Sequence, residues 1–404
     1  MTTKPPRLPL SRLIGFSLLA TLLFFALAEL VARAFLPADC TSPARFARYL
    51  EQVGSTSPEN LKESLARSVP MPYDPYLIWH PVLNYRGPNL GVEVVHNSQG
   101  LRSPEIPFDP PPKTSRILLT GDSTIYGHGV PENKTLRSRL EVELNRRLRG
   151  GTVQVINGGV PGYSSLQSLN QLRRITGRFH PDVVVVANLW SDCALDTFQD
   201  REVIYGTGLA VPFHRAGQWI DELLSPHSAL YCGARRLVYR LRRLGCKGRP
   251  PLCGPDESAL GKGEAQVVAQ PGTGRPPRSR PRVPLEDYRK NLEAIEAYAS
   301  GLGAKVVFLV LANGVELGEY DDSEDTMGDY PAYRKAMREV ARATGAPLLD
   351  LTPLFQRAAR EGVGPLFMDR VHPNATGHRL MADALADFLL EDPTIRPAIE
   401  GAAR

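Results

Sequence analysis

Hydrophobic positions fall into three regimes along the chain. Leu13 to Ala28 is an uncharged run, apolar on every side, that reaches Ala32 if Glu29 is admitted. That approaches the roughly 20 residues a bilayer-spanning helix needs. Residues 41–110 show no period, because Pro72, Pro75, Pro81 and Pro88 punctuate Tyr73, Tyr76, Trp79 and Tyr85. An irregular accessory segment over 36–114, packed on the domain that begins at residue 115, is expected. From residue 116 short apolar runs alternate with helical patterns, the mark of strand and crossover-helix units. Ile117 to Leu119, Val153 to Ile156, Val183 to Ala187, Val306 to Leu311 and Pro347 to Leu351 predict five strands of a doubly wound parallel sheet. Leu136, Leu140, Leu144 and Leu148 recur every four residues and predict a helix ended by Gly150. Further helices are expected at Leu285 to Ser300, Tyr333 to Thr344 and Pro373 to Leu390.

The alternation predicts one α/β domain over 115–395, interrupted by an insertion at about 195–285. A structureless loop of that length is uncommon in a compact domain, and the Pro/Gly/Arg-rich stretch predicts mobility from Gly261 to Arg282. Earlier in the insertion, Arg235, Arg236, Arg240, Arg242 and Arg243 lie among Leu237, Val238, Leu241 and Leu244. That pattern fits either a basic amphipathic helix on a membrane surface or, the preferred reading, a solvated face.

Composition changes this picture little. The 36 prolines and 35 glycines in 404 residues agree with long irregular stretches, and a net charge of +5 gives no reason to expect a nucleic-acid partner. The charge at the N-terminus matters more. Lys4, Arg7 and Arg12 precede the apolar run, so the positive-inside rule expects a cytoplasmic tip and anchor over 1–35, with everything beyond it periplasmic or extracellular. Ala32-Arg33-Ala34 also resembles a signal-peptidase site, which would release a secreted protein; the length of the run favours the uncleaved anchor. Export makes the five cysteines disulfide candidates, with Cys246–Cys253 closing a small loop, Cys193–Cys232 a looser pairing and Cys40 left free. No cysteine spacing suggests zinc.

In a doubly wound sheet, ligands bind at the carboxyl ends of the strands. Past the first strand comes Thr120-Gly121-Asp122-Ser123, a tight turn that leaves a serine hydroxyl above the sheet. Past the second lies the glycine-rich run from Asn157 to Ser164, whose backbone N–H groups can approach an anionic oxygen. Past the third is Asn188-Leu189-Trp190-Ser191-Asp192, and after the fifth comes Asp369-Arg370-Val371-His372-Pro373. A serine needs a base to become a nucleophile, and the base needs a partner that fixes its tautomer. His372 and Asp369, three residues apart, suit those two roles, with Pro373 at the first helical position holding the ring at a helix entrance. Asp122 and Trp190 are candidates to line a substrate pocket, Trp190 equally to fill the core. His128 reads as a loop residue and His378 as a packing or capping residue. The chain lacks a Gly-x-Ser-x-Gly elbow, a phosphate-binding loop and His-Glu-x-x-His.

Gly121-Asp122-Ser123, the Gly162 turn and the Asp369-x-x-His372 box resemble three of the four blocks of the SGNH (GDSL-like) hydrolases, in family order, over residues 115–390. The resemblance implies a flavodoxin-like three-layer α/β/α sandwich around a five-stranded parallel sheet. It also implies an oxyanion hole built from the N–H of Ser123, the N–H of Gly162 and an asparagine side chain. The remaining block departs from the pattern: Leu189-Trp190-Ser191-Asp192 carries serine where the family has asparagine. Ser191, or Asn188 three residues earlier, is the expected substitute donor; losing one such donor costs about 100- to 1000-fold in turnover. The implied activity is a serine esterase using Ser123, His372 and Asp369 on an O-acyl ester, with no metal and no cofactor. From location, cell-envelope glycans or lipid esters are the expected substrates. An O-acyltransferase using the same triad, and a binding module that kept only the fold, are the rival readings.

Overall fold

The computed structural model describes residues 10–35, 73–205 save 75, 149–150 and 197–198, 280–321 and 328–401, together with 69, 71 and scattered positions between 220 and 234. Helix α1 (Leu10–Phe35) contains a stretch, Gly15–Ala34, with a mean hydropathy of 2.1, long and apolar enough to cross a membrane. Phe16, Leu18, Leu22, Phe24 and Leu27 on it are all exposed. Near its end Glu29 pairs with Arg33 and accepts hydrogen bonds from Ser228 Oγ and the N–H groups of Ala229 and Leu230.

The accessory segment is more regular than its prolines suggest. It holds two antiparallel hairpins, β1 (Tyr73–Asp74) with β2 (Ile78–Trp79), and β3 (Arg86–Asn89) with β4 (Val92–Val95). Arg102 comes after them, wholly buried, and its guanidinium donates to the carbonyls of Tyr126, Gly127 and Val130. His96 Nε2 lies 2.9 Å from the Tyr126 hydroxyl. Paired backbone and buried polar anchors, with no apolar period, knit this segment to the main domain.

The central sheet consists of β5 (Thr114–Thr120), β6 (Thr152–Asn157), β7 (Val183–Val186), and two later strands. Before those come two-residue strands β8 (Leu195–Asp196) and β9 (Arg280–Pro281), and then β10 (Lys305–Val310) and β11 (Leu348–Asp350) complete the sheet. Its order is β11-β10-β7-β5-β6, and all four pairings are parallel. Parallel strands covered on both faces read as continuous apolar runs, and β7 is four valines, each fully buried. Two groups of helices flank the sheet. Helix α3 (Leu136–Arg147), which comes after the four-residue α2 (Ser123–Tyr126), packs on α10 (Ala375–Glu391); α4 (Ser165–Arg174) packs on α7 (Leu285–Gly301), which in turn packs on α8 (Tyr330–Thr344). This is the expected three-layer arrangement in flavodoxin-like strand order, and its switch point falls between β5 and β7.

Several boundaries differ from expectation for local reasons. Helix α10 begins at Ala375, because the Asn374 side chain caps the N–H groups of Thr376 and Gly377; Pro373 stands outside it, bridged to Phe367. The short α5 (Trp190–Cys193) and α6 (Asp200–Tyr205), and α9 (Thr352–Arg360) between β11 and α10, have no signal in the apolar period. The insertion leaves and re-enters the domain at one point, since β8 pairs antiparallel with β9. Mobility through Arg282 is therefore corrected at its end: Arg280 pairs with Glu202, and Arg282 is buried against Asp200. Residues 261–279, the basic run 235–244, and Cys40, Cys232, Cys246 and Cys253 lie outside the described residues. Cys193 is a free thiol buried in the core, which overturns its pairing with Cys232.

Candidate active site

Ser123 opens α2 directly after β5. The Asp122 side chain caps that helix by accepting from Thr124 N at 3.0 Å, and Gly127, at φ +81°, closes it after a single turn. The hydroxyl is thereby held at a sharp strand-to-helix corner. Across from it, Asp369 divides its carboxylate between two tasks. Oδ1 accepts from the N–H groups of Val371 (3.0 Å) and His372 (2.8 Å), fixing the loop, and Oδ2 lies 2.6 Å from His372 Nδ1. A carboxylate acceptor requires the proton on Nδ1, so Nε2 accepts, and the Ser123 hydroxyl lies 2.7 Å from it. Burial raises the Asp369 pKa, but the hydrogen bonds and charge of His372 and the two backbone donors outweigh it and hold the carboxyl at about 2. Hydroxyl, imidazole and carboxylate are thus brought into one line from sequence positions 249 residues apart at the serine–histidine step.

The Ser123 and Gly162 N–H groups have no acceptor among the described residues. Gly162 adopts φ +76°, and a Cβ there would lie 2.8 Å from Trp79 Cζ2, so this turn is built for glycine. The loop is tied to the serine corner by Val160 N to Gly121 O (3.2 Å), and Gly159 lies so close to α2 that a Cβ would sit 2.5 Å from Tyr126 N.

The sequence over residues 119–380 matches the GDSL-like Lipase/Acylhydrolase family. The chain belongs to that family. As a GDSL-like protein it is an ester-hydrolysing enzyme. No curated protein matches it closely. Similar solved structures include acetyl xylan esterase AlAXEase, at 17% identity over 68% of this chain and 99% of that one, with a TM-score of 0.41. Another is the lipase/acylhydrolase from Enterococcus faecalis, at 16% identity, 68% and 95% coverage and a TM-score of 0.38. A third is the acetylxylan esterase Axe2 from Geobacillus stearothermophilus, at 13%, 69% and 95%, with a TM-score of 0.40.

In this GDSL-like enzyme the third strand end departs furthest from expectation. Asn188 is wholly buried, and its amide donates to Ser168 Oγ at 2.8 Å, so it belongs to the packing between β7 and α4 and not to an oxyanion site. Asp122 is also fully buried; besides capping α2 it accepts from the N–H of Trp190 at 3.2 Å. Asp122 therefore ties the serine corner to α5 and does not line a pocket, and burial pushes its pKa up. Trp190 is core: only 6% exposed, it lies edge-on to Tyr330 under the Arg334 guanidinium. Ser191 sits on the first turn of α5 and its hydroxyl has no protein partner among the described residues.

Two histidines have fuller roles than a loop or a simple filler. His378 is buried, and its Nδ1 accepts from Leu136 N at 3.0 Å, capping the start of α3. His128 is buried against His372, its Nδ1 accepting from Asn89 Nδ2 at 3.1 Å. Burial first, then the neighbouring His372, pulls the His128 pKa down to about 3, so it is neutral near pH 7. Its flanking glycines suggested only a loop, and nothing local in the sequence points to Asn89 39 residues earlier.

Proposed function

We propose that Ser123 is the nucleophile of a carboxylic-ester hydrolase, His372 its general base and acid, and Asp369 the group that orients His372. The observation that carries this is the unbroken relay from Ser123 Oγ to His372 Nε2 at 2.7 Å and from His372 Nδ1 to Asp369 Oδ2 at 2.6 Å. In this reading Ser123 attacks the acyl carbon as its proton passes to Nε2. The tetrahedral oxyanion is met by the N–H groups of Ser123 and Gly162, with the Ser191 hydroxyl as third donor. His372 then returns the proton to the leaving alkoxide, and water hydrolyses the acyl-enzyme by the same route.

We also infer that the apolar stretch of helix α1 is a signal anchor, with Lys4, Arg7 and Arg12 ahead of that stretch on the cytoplasmic side, which carries the catalytic domain outside the cytoplasm. O-acyl groups of cell-envelope glycans, or lipid esters, are the substrate class that location favours. An activity-based fluorophosphonate probe tests the core of the reading. Ser123 is expected to be labelled, and labelling is expected to collapse in His372→Ala. Equal labelling of the two proteins sinks it. Acetate released to water, measured against acetate transferred to added glycan, tests hydrolysis against transfer.

A further inference from the structure

The Gly162 turn is gripped by two residues that lie outside every catalytic motif. From the accessory segment, Trp79 donates its indole Nε1–H to the Pro161 carbonyl at 3.0 Å, and the Tyr163 hydroxyl donates back to the Trp79 carbonyl at 2.8 Å. From the return of the insertion, Arg282 donates Nη1–H to the Gly162 carbonyl at 2.6 Å. Its Nε and Nη2 are held by Asp200 at 3.0 and 2.8 Å, and the guanidinium lies 5.1 Å over the Trp79 ring. The Pro161 carbonyl and the Gly162 N–H belong to one peptide unit, and the Gly162 carbonyl belongs to the next.

A trans peptide is planar, so its C=O and N–H point in opposite directions as one rigid body. Anchoring the Pro161 oxygen on the Trp79 indole therefore fixes where the Gly162 N–H points. With Gly162 at φ +76° and its next carbonyl pinned by Arg282, neither plane is left to rotate. A carbonyl that accepts a hydrogen bond also polarises its amide, which strengthens the N–H as a donor. An N–H already aimed stabilises developing charge with no reorganisation during reaction.

We propose that Trp79 is a positioning residue that aims and polarises the Gly162 N–H, with Arg282 bracing the next peptide. This rests on Gly162 being an oxyanion donor, as proposed for the esterase reaction. The oxyanion is absent from the bound ester and develops only on the way to the tetrahedral intermediate, so loosening its donor lowers kcat and leaves KM nearly unchanged, whereas a merely structural defect has no such selectivity.

The test uses the full-length protein with p-nitrophenyl acetate. Trp79→Phe removes the N–H, and β-(3-benzothienyl)alanine at position 79 replaces it with sulfur in the same outline. Both are expected to lower kcat by roughly five- to fiftyfold, the range between one ordinary hydrogen bond and loss of a whole oxyanion donor. KM is expected to stay within twofold, and fluorophosphonate labelling of Ser123 to slow in proportion. If Trp79→Phe does not fold, the sulfur isostere decides. A kcat within twofold of the parent, or a loss carried by KM, overturns the proposal. Ser123→Ala, run alongside, separates the two levels: if it is inactive while the Trp79 variants match the parent, only the positioning role fails; if it keeps parental activity, the reading of the site fails.

Discussion

The His128 and His372 rings lie with their centroids 5.0 Å apart and their planes tilted by 40°. His128, with a pKa of about 3, is neutral at working pH, and Asn89 is placed to donate to its Nδ1. Neutrality matters because His372 becomes an imidazolium during the proposed reaction. A fixed positive charge about 5 Å away costs roughly 3 kcal/mol at an effective dielectric of 20. His128→Lys is expected to lower kcat at least tenfold, while His128→Gln, which keeps a neutral acceptor for Asn89, stays within a few-fold of the parent. Steady-state kinetics at pH 7.5 checks this; equal losses in the two variants would contradict it.

Asp369 supports both a backbone loop and an imidazole, and the two tasks are separable. Asp369→Asn keeps an oxygen for the N–H groups of Val371 and His372 but removes the carboxylate that selects the His372 tautomer. Its kcat is expected to fall about 10⁴-fold with little change in melting temperature. Asp369→Ala gives up the loop as well, and its melting temperature should drop measurably below that of Asp369→Asn.

The fold carries a built-in sensitivity to acid. Burial pulls down the pKa of His96 to about 4 and of His378 to about 3, as it does for His128. Each is neutral when folded and titrates near 6.5 when unfolded, so the unfolded chain binds more protons once the pH drops below 6.5. The stability these histidines contribute is therefore full above pH 6.5 and lost as the pH falls towards 3 to 4, at most about 2.7 kcal/mol each by pH 4.5. Burial raises the carboxyls of Asp122, Asp182, Asp192 and Asp383, which act in the opposite sense, while it lowers the pKa of His80 in the same sense as the other three histidines. Melting curves from pH 7.5 to 4.5 are expected to show a net loss carried by the histidines; a melting temperature flat across that range would refute it.

Arg282 and Asp200 form an ion pair with side chains only 7% and 0% exposed. Removing one partner strands a buried charge, at a cost of about 3 to 5 kcal/mol. Asp200→Ala should therefore destabilise the protein by that order in urea titration. Arg201→Ala, which breaks the exposed pair with Asp287, should cost under about 1 kcal/mol.

Much of this molecule is readable from the chain because each readable part rests on a local rule. Four consecutive valines suit a doubly covered strand, and leucines every fourth residue suit one helix face turned to a core. Ser123 stands just past a strand, where the topology of a doubly wound sheet puts ligand-facing groups, and Asp369 and His372 stand in the loop before α10. What escaped reading is polar and distant. Asp122 looks like a pocket residue, yet aspartate just before a helix is also a favoured cap. Helix α4 is rich in buried Gln167, Asn170 and Gln171 and has no clean apolar stripe; its legible signal is the capping box of Ser164 with Gln167. Trp79 and Arg102 bond mainly to backbone carbonyls and Arg282 reaches one from its seat on Asp200, and no sequence pattern reveals where those carbonyls lie.

The pairing of β8 with β9 gives the insertion a stem. The two strands run side by side as a two-residue ladder, and its roots are tied by Arg282 and Asp200. Such a junction tolerates exchange: the intervening chain can be lengthened, trimmed or traded for another while the sheet and the serine corner stay as they are, since loop-closure cost grows only slowly with length. A change of length between these two roots therefore leaves the geometry of the Ser123 corner to the sheet that holds it.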